Sequence, residues 1–256
     1  MILVLAGTKD GRELAEALVR SGEEVCLCSV SEYASSLAGP LAGLRLHSGA
    51  LDADGIADLA GETGAELIAD ASHPYAKAAT ENAVSAARRL GIPVVRLQRP
   101  GAGFDDSDFG FDTPEALARA LSGWLESNYG RVLFTTGSNN LPDWQLVPLN
   151  RQVIRVLPTS RVLEKCESLG YSPGQIIAEQ GPFSTEQNLL TFNKYEICAL
   201  VTKDSGKIGG TPEKLEAARE ADVQVFYLKR PAFPNLRTGS TPAEVCGMIR
   251  RRLGRD

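Results

Sequence analysis

The 256-residue sequence predicts an α/β protein built of two similar halves, each a parallel sheet flanked by helices. Three observations predict it. Short β-branched apolar runs alternate with alanine-rich helical patterns along the whole length, the signature of strand–helix–strand units. One stretch recurs 131 residues later: Ala86-Ala87-Arg88 through Val94, Leu97 and Arg99-Pro100 overlays without gaps on Ala217-Ala218-Arg219 through Val225, Leu228 and Arg230-Pro231. The opening Leu3-Val4-Leu5-Ala6-Gly7-Thr8 is echoed by Leu133-Phe134-Thr135-Thr136-Gly137-Ser138.

In chain order, strands are expected at 2–5, 25–30, 67–69, 94–97, 131–134, 152–156, 176–178, 199–202 and 223–228. Each is a short apolar run bounded by turn-forming or charged residues. Helices are expected at 11–21, 56–63, 76–90, 114–125, 160–169, 186–195, 212–221 and 242–253. Several start with Thr followed by Pro, as at Thr113-Pro114 and Thr241-Pro242. Thr caps the first turn, and the missing N–H of Pro has no bond to lose there. The acidic, glycine-bearing stretch Gly101–Asp112 reads as an exposed connection. The expected division falls near Ser127, giving domains 1–127 and 128–256, with helix 113–125 free to pack on either.

Composition narrows the function. With 43% hydrophobic and 23% charged residues, the chain suits a packed globular protein rather than a disordered one. A net charge of −5 argues against broad nucleic-acid binding, yet leaves room for local arginines to hold a small polyanion. No apolar run reaches the roughly 18–20 residues a membrane span needs. The N-terminus opens directly on an apolar strand, without the basic region of a signal peptide, so a cytoplasmic location is expected. Five cysteines, an odd number set mostly in apolar stretches, fit reduced thiols. Cys26 and Cys28 share one face of a strand, but no neighbouring His or second Cys pair completes a metal site, and none is expected.

In open α/β sheets, ligands sit beyond the carboxyl ends of the strands. Four loops there carry candidate chemistry. Gly7-Thr8-Lys9-Asp10-Gly11-Arg12 opens the first helix, where glycine admits a close approach and the helix N-terminus attracts phosphate; a plain tight turn is the alternative. Where the second strand ends, Ser29 and Ser31 replace the acid that would grip a ribose hydroxyl, which suits a 2′-phosphate. Asp70-Ala71-Ser72-His73-Pro74-Tyr75-Ala76 gathers an acid, a hydroxyl, an imidazole and a phenol. His73 could bond a cofactor or relay a proton, or be an ordinary hydrogen-bonded structural residue. Lys203-Asp204-Ser205-Gly206-Lys207-Ile208-Gly209-Gly210 is an anion cradle or a structural glycine loop. Gln180-Gly181-Pro182-Phe183-Ser184, Gly137-Ser138-Asn139-Asn140 and Arg155-Val156-Leu157-Pro158 are further polar breaks after strands, each with a simple turn reading. Tyr-x-x-x-Lys, G-x-S-x-G, H-E-x-x-H and Cys-x-x-Cys are all missing, which disfavours short-chain dehydrogenase, serine-hydrolase and zinc-peptidase chemistry.

Together, Gly7-Thr8 with Arg12, the 70–76 loop, Gln180-Gly181-Pro182-Phe183, and Lys203-Asp204-Ser205-Gly206 with Gly209-Gly210 resemble the precorrin-6A reductase family of corrin biosynthesis, from Gly7 to Arg230-Pro231. Asp10 stands where that family usually has Glu. The resemblance implies two Rossmann-like parallel-sheet domains facing across a cleft. It also implies a reductase that moves hydride from a reduced nicotinamide to a double bond of precorrin-6A, or its cobalt form, giving precorrin-6B. The expected cofactor is NADPH, with NADH the alternative. It would be held by Gly7, Thr8, Arg12, Ser72, Gly137, Ser205, Gly206, Gly209 and Gly210. A polyanionic tetrapyrrole needs cationic and polar partners, for which Arg99, Arg155, Gln180, Ser184, Lys207 and Arg230 are candidates. His73, Tyr75 or Lys203 would supply the proton. The competing readings are another tetrapyrrole-modifying enzyme and a nucleotide-binding redox sensor without turnover.

Overall fold

The computed structural model describes residues 1–6, 9–30, 41–206 and 209–255. Among them are twelve β-strands and eight α-helices, numbered here in chain order. The chain forms two compact units, Met1–Pro100 with Pro231–Asp256, and Gly101–Arg230.

The first unit contains β1 (Ile2–Ala6), α1 (Lys9–Arg20), β2 (Val25–Ser29), β3 (Leu44–Ser48), α2 (Ala53–Thr63), β4 (Leu67–Ala71), α3 (Lys77–Leu90) and β5 (Val94–Leu97). The last segment of the chain adds β12 (Arg237–Gly239) and α8 (Pro242–Leu253). Its sheet is wholly parallel, ordered β12-β5-β4-β1-β2-β3. Alternation along β1 explains why both faces are covered. Ile2, Val4 and Ala6 pack with Leu14 and Leu18 of α1 and Val245 and Ile249 of α8. Leu3 and Leu5 pack on the other face with Ile56 of α2 and Ala83 and Ala87 of α3.

The second unit contains β6 (Phe109–Phe111), α4 (Pro114–Trp124), β7 (Arg131–Phe134), β8 (Gln152–Val156), α5 (Ser160–Ser168), β9 (Ile176–Ala178), α6 (Thr185–Tyr195), β10 (Ile197–Lys203), α7 (Thr211–Glu220) and β11 (Gln224–Leu228). The sheet is again wholly parallel, ordered β6-β11-β10-β7-β8-β9. Position for position this repeats the first sheet, with β7 in the place of β1 and β10 in that of β4. The duplication read from the sequence is therefore present in the topology.

The expected division near Ser127 differs from the two units found. After β5 the chain leaves the first unit at Arg99-Pro100 and supplies β6 and α4 to the second. After β11 it leaves the second at Arg230-Pro231 and supplies β12 and α8 to the first. The two equivalent Arg-Pro steps thus mark a reciprocal exchange of the edge strand and its helix. The stretch 101–112, read as a connection, contains β6. The expected caps are present: the Thr113 hydroxyl accepts from Ala116 N and that of Thr241 from Glu244 N, both at 3.2 Å. Among the described residues, no helix is long and apolar enough to cross a membrane.

Candidate functional site

Each sheet has one point where the chain, having run outward in one direction, returns to run in the other. In the first unit this lies between β1 and β4, and in such sheets ligands bind at the carboxyl ends of the two strands. A pocket of about 250 Å³ lies at these ends, lined by Leu5, Ala6, Cys28, Ser29, Val30, Leu51, Ser72 and His73 among others. Helix α1 starts close against the strands because Gly11 has no side chain. A Cβ there would lie 2.7 Å from Ala6 Cβ and 3.3 Å from Ala71 Cβ. The free N–H groups of the first turn are thereby brought to the carboxyl end of β1.

The His73 loop is held from beneath by a buried ion pair. Asp70 and Arg96 are 0% and 1% exposed. Asp70 Oδ2 accepts from Arg96 Nη1, which also donates to the Thr80 hydroxyl. Asp70 Oδ1 accepts from Ser72 N at 3.0 Å, and Arg96 Nη2 reaches Pro74 O at 3.5 Å. Phe233 covers the guanidinium, its ring centre 5.1 Å away. One carboxylate and one guanidinium therefore hold both ends of the loop. His73 Nδ1 accepts from Tyr75 N at 3.2 Å, which puts the proton of the neutral ring on Nε2. The two rings are 5.9 Å apart. Ser72 Oγ is buried without a hydrogen-bond partner among the described residues, an uncommon state for a hydroxyl and one a ligand would relieve.

In the second unit the corresponding point lies between β7 and β10. A pocket of about 290 Å³ there is lined by Thr135, Gly137, Arg155, Phe183, Gly209, Gly210 and Lys214 among others. Arg155, at the end of β8, donates to Asn188 Oδ1 at 2.7 Å and lies 4.2 Å from the centre of the Phe183 ring. Burial lowers its pKa to about 10, partly offset by Glu179. Lys214 of α7 is brought down to about 8, first by burial and then by the charge of Arg155, with Glu213 opposing. Lys203 at the end of β10 is also lowered by burial, and Asp143 partly restores it.

The loop after β10 closes on itself: Ser205 N donates to Lys203 O, and Gly209 N to Gly206 O. Gly209 must be glycine, because a Cβ would lie 2.3 Å from that of Ser205. Asp204 pairs with Arg230 and accepts from Ala102 N at 2.9 Å.

The structure sorts the sequence candidates. Ser72 and His73 share the first pocket with Ser29, and Tyr75 stands beside His73. Gly137, Gly209 and Gly210 share the second pocket with Arg155. Lys203, Ser205 and Gly206 belong to the loop that closes beside it. Arg12 lies in the first turns of α1, half-buried. Arg99 is paired with Asp10, and Arg230 with Asp204, so each anchors an Arg-Pro step. Ser184 caps α6, accepting from Gln187 N at 3.2 Å, and Gln180 is exposed just after β9. Gly7, Thr8, Ser31 and Lys207 lie outside the described residues. Sequence reading missed Lys214 and Asn188. The available signal was periodicity: Lys214 occupies an inward position of α7 with Thr211, Leu215 and Ala218, where a lysine is out of place.

The chain matches the family model described as precorrin-6x reductase CbiJ/CobK over residues 1–250. It is 38% identical to a cobalt-precorrin-6A reductase of Methanothermobacter thermautotrophicus over 90% of this chain and 76% of that protein. It is 36% identical to one of Priestia megaterium, over 90% and 91%. Identity to a precorrin-6A reductase of Rhodococcus erythropolis is 31%, over 91% and 90%. The solved structure of a CobK precorrin-6A reductase superposes with a TM-score of 0.73 at 24% identity, covering 98% of this chain and 96% of that one, and so shares the fold. The doubled parallel sheet and the match along nearly its whole length mean that this chain belongs to the precorrin-6x reductase family, oxidoreductases of cobalamin biosynthesis that act on a carbon–carbon double bond.

Proposed function

We propose that this protein reduces one double bond of the cobalt-precorrin-6A macrocycle with NADPH, in the cytoplasm. The observation that carries the cofactor assignment is the first pocket. It combines the close start of α1 over Gly11, the unpartnered Ser72 Oγ, and a β2 that ends in Ser29 rather than an acid. A carboxylate at that position would bond the ribose 2′-hydroxyl and repel a 2′-phosphate; serine does neither. The reduced nicotinamide supplies the hydride. The second hydrogen arrives as a proton, and His73, Tyr75 and Lys203 are the candidates to hold it. Lys203 is suited because burial brings its pKa below the ordinary lysine value. The cobalt form is supported by the 38% and 36% identities to reductases of that substrate. The five unpaired cysteines suit a reducing compartment.

The deciding experiment is an anaerobic assay of NADPH and NADH oxidation with precorrin-6A and its cobalt form. Oxidation is expected only when a tetrapyrrole is added, fastest with NADPH and the cobalt form. Tight dinucleotide binding without oxidation by either tetrapyrrole would overturn the proposal and favour a sensor.

A further inference from the structure

We infer that the second unit holds a dedicated oxyanion site between Arg155 and Lys214, which takes one carboxylate or phosphate group of a larger ligand. The inference rests on the functional reading above, in which the substrate is fringed with carboxylates and the cofactor carries phosphates. It names residues and a ligand chemistry for a pocket that this reading leaves open.

Two cations, 6% and 8% exposed, line one pocket, and among the described residues neither has a carboxylate within 4.0 Å. Glu179, in the lining of the same pocket, and Glu213, next to Lys214, offset part of this charge without forming an ion pair with either cation. Burying charge without a paired counter-ion is costly, and a bound anion would offset the remainder. Arg155 is fixed from two sides: Asn188, itself fully buried, accepts from Nη2, and Phe183 stacks on the guanidinium face. Asn188 is in turn tied by Nδ2 to Ser184 O at 2.8 Å. The fork is thus oriented before any ligand arrives, which lowers the ordering cost of binding. The opposite wall is the start of α7, where Gly209 and Gly210 bring backbone to the pocket and the helix dipole adds positive potential. Val156, Leu157 and Pro182 add apolar lining that strengthens charge interactions inside, and Glu179 lines the same pocket on the Arg155 side. The volume of about 290 Å³ suits one acidic side group and not a macrocycle, so the remainder of the ligand lies outside the pocket.

The test is Lys214→Met, which keeps the stem and removes the charge. Three quantities are measured: melting temperature, the NADPH dissociation constant by nucleotide fluorescence, and KM for cobalt-precorrin-6A at saturating NADPH. Loss of one charge-assisted hydrogen bond predicts weakening of one ligand by about 10- to 100-fold. A rise in tetrapyrrole KM with NADPH binding unchanged assigns the site to a substrate carboxylate. Weaker NADPH binding assigns it to a cofactor phosphate. Removing an unpaired buried charge should raise the melting temperature of the ligand-free protein, whereas loss of a structural lysine would lower it. If both ligands bind Lys214→Met as they bind the wild type, the site is refuted whatever the melting temperature does.

Should the variant fail to fold, the wild-type chain decides. The NMR titration midpoint of the Lys214 ε-methylene must move upward when NADPH or the tetrapyrrole binds, and a midpoint unmoved by both overturns the inference. Absence of NADPH oxidation in the wild type would refute the reductase reading instead, while the direct NADPH and NMR measurements would still judge the site.

Discussion

Asp70 does its work through charge as well as shape, since it neutralises Arg96 and pins Ser72 N from a wholly buried position. Asp70→Asn preserves the outline but leaves the guanidinium without a counter-ion. Removing one partner of a buried pair typically costs about 3–5 kcal/mol, and urea unfolding should show a loss of that order. The same variant should lose turnover, because it releases the loop that carries His73. Gly11→Ala forces a methyl into the 2.7 Å contact with Ala6 and should cost about 1–3 kcal/mol by overpacking, with weaker NADPH binding in a fluorescence titration. Lys214 carries a pH signature. It faces Arg155 on β8 and Glu213 on its own helix, with Glu179 near Arg155, and its pKa falls from 10.5 to about 8 on folding. Below about pH 8 both states are protonated and the full penalty of burial is present. Between about pH 8 and 10.5 the unfolded chain binds the proton and the folded one does not, so this lysine makes stability rise with pH there. Lys214→Met should be the more stable chain at pH 7, and its advantage in unfolding free energy should shrink as pH rises through that window.

Caps and edges govern the individual elements. Thr113 and Thr241 cap the two exchanged helices, α4 and α8, through the same contact to the third residue on. Thr241→Ala should therefore cost the first unit about 1 kcal/mol, and Thr113→Ala the second unit a similar amount, read as shifted unfolding midpoints. The central strands and the helices were legible in the sequence to within a few residues, because periodicity and Thr-Pro starts are local signals. β3, β6 and β12 were not. β3 has no buried residue, β6 is the three residues Phe109–Phe111, and β12 is Arg237-Thr238-Gly239 with no apolar residue at all. Each is an edge strand of its sheet, ordered by one neighbour and not by its own composition. The candidate site divides in the same way. Ser72, His73, Arg155 and the glycines of the 203–210 loop stand out as polar breaks after strands, whereas Lys214 hides within a helix and Asn188 behind a cap.

The exchange of edge strands makes the first unit depend on the far end of the chain, whereas the second is the continuous stretch Gly101–Arg230. Val245 and Ile249 of α8 are fully buried in the core of the first unit, where each apolar side chain contributes about 1.5–3 kcal/mol. A chain ending at Arg230 should expose Ile2, Val4, Leu14 and Leu18, and limited proteolysis should then digest residues 1–100 while sparing 101–230. Preferential survival of residues 1–100 would contradict the exchange. By itself the sequence determined the α/β class, the central strands, the helix starts, the duplication and the family, since all of these are written in residues near one another or repeated at a similar spacing. Only the tertiary structure decided which half owns the last strand and helix of each repeat, and which buried cations meet. The strand pairings join residues more than a hundred positions apart, and the two cations come from different elements of the second unit, so apolar cover and charge balance are set by neighbours in space and not by the next residue in the chain.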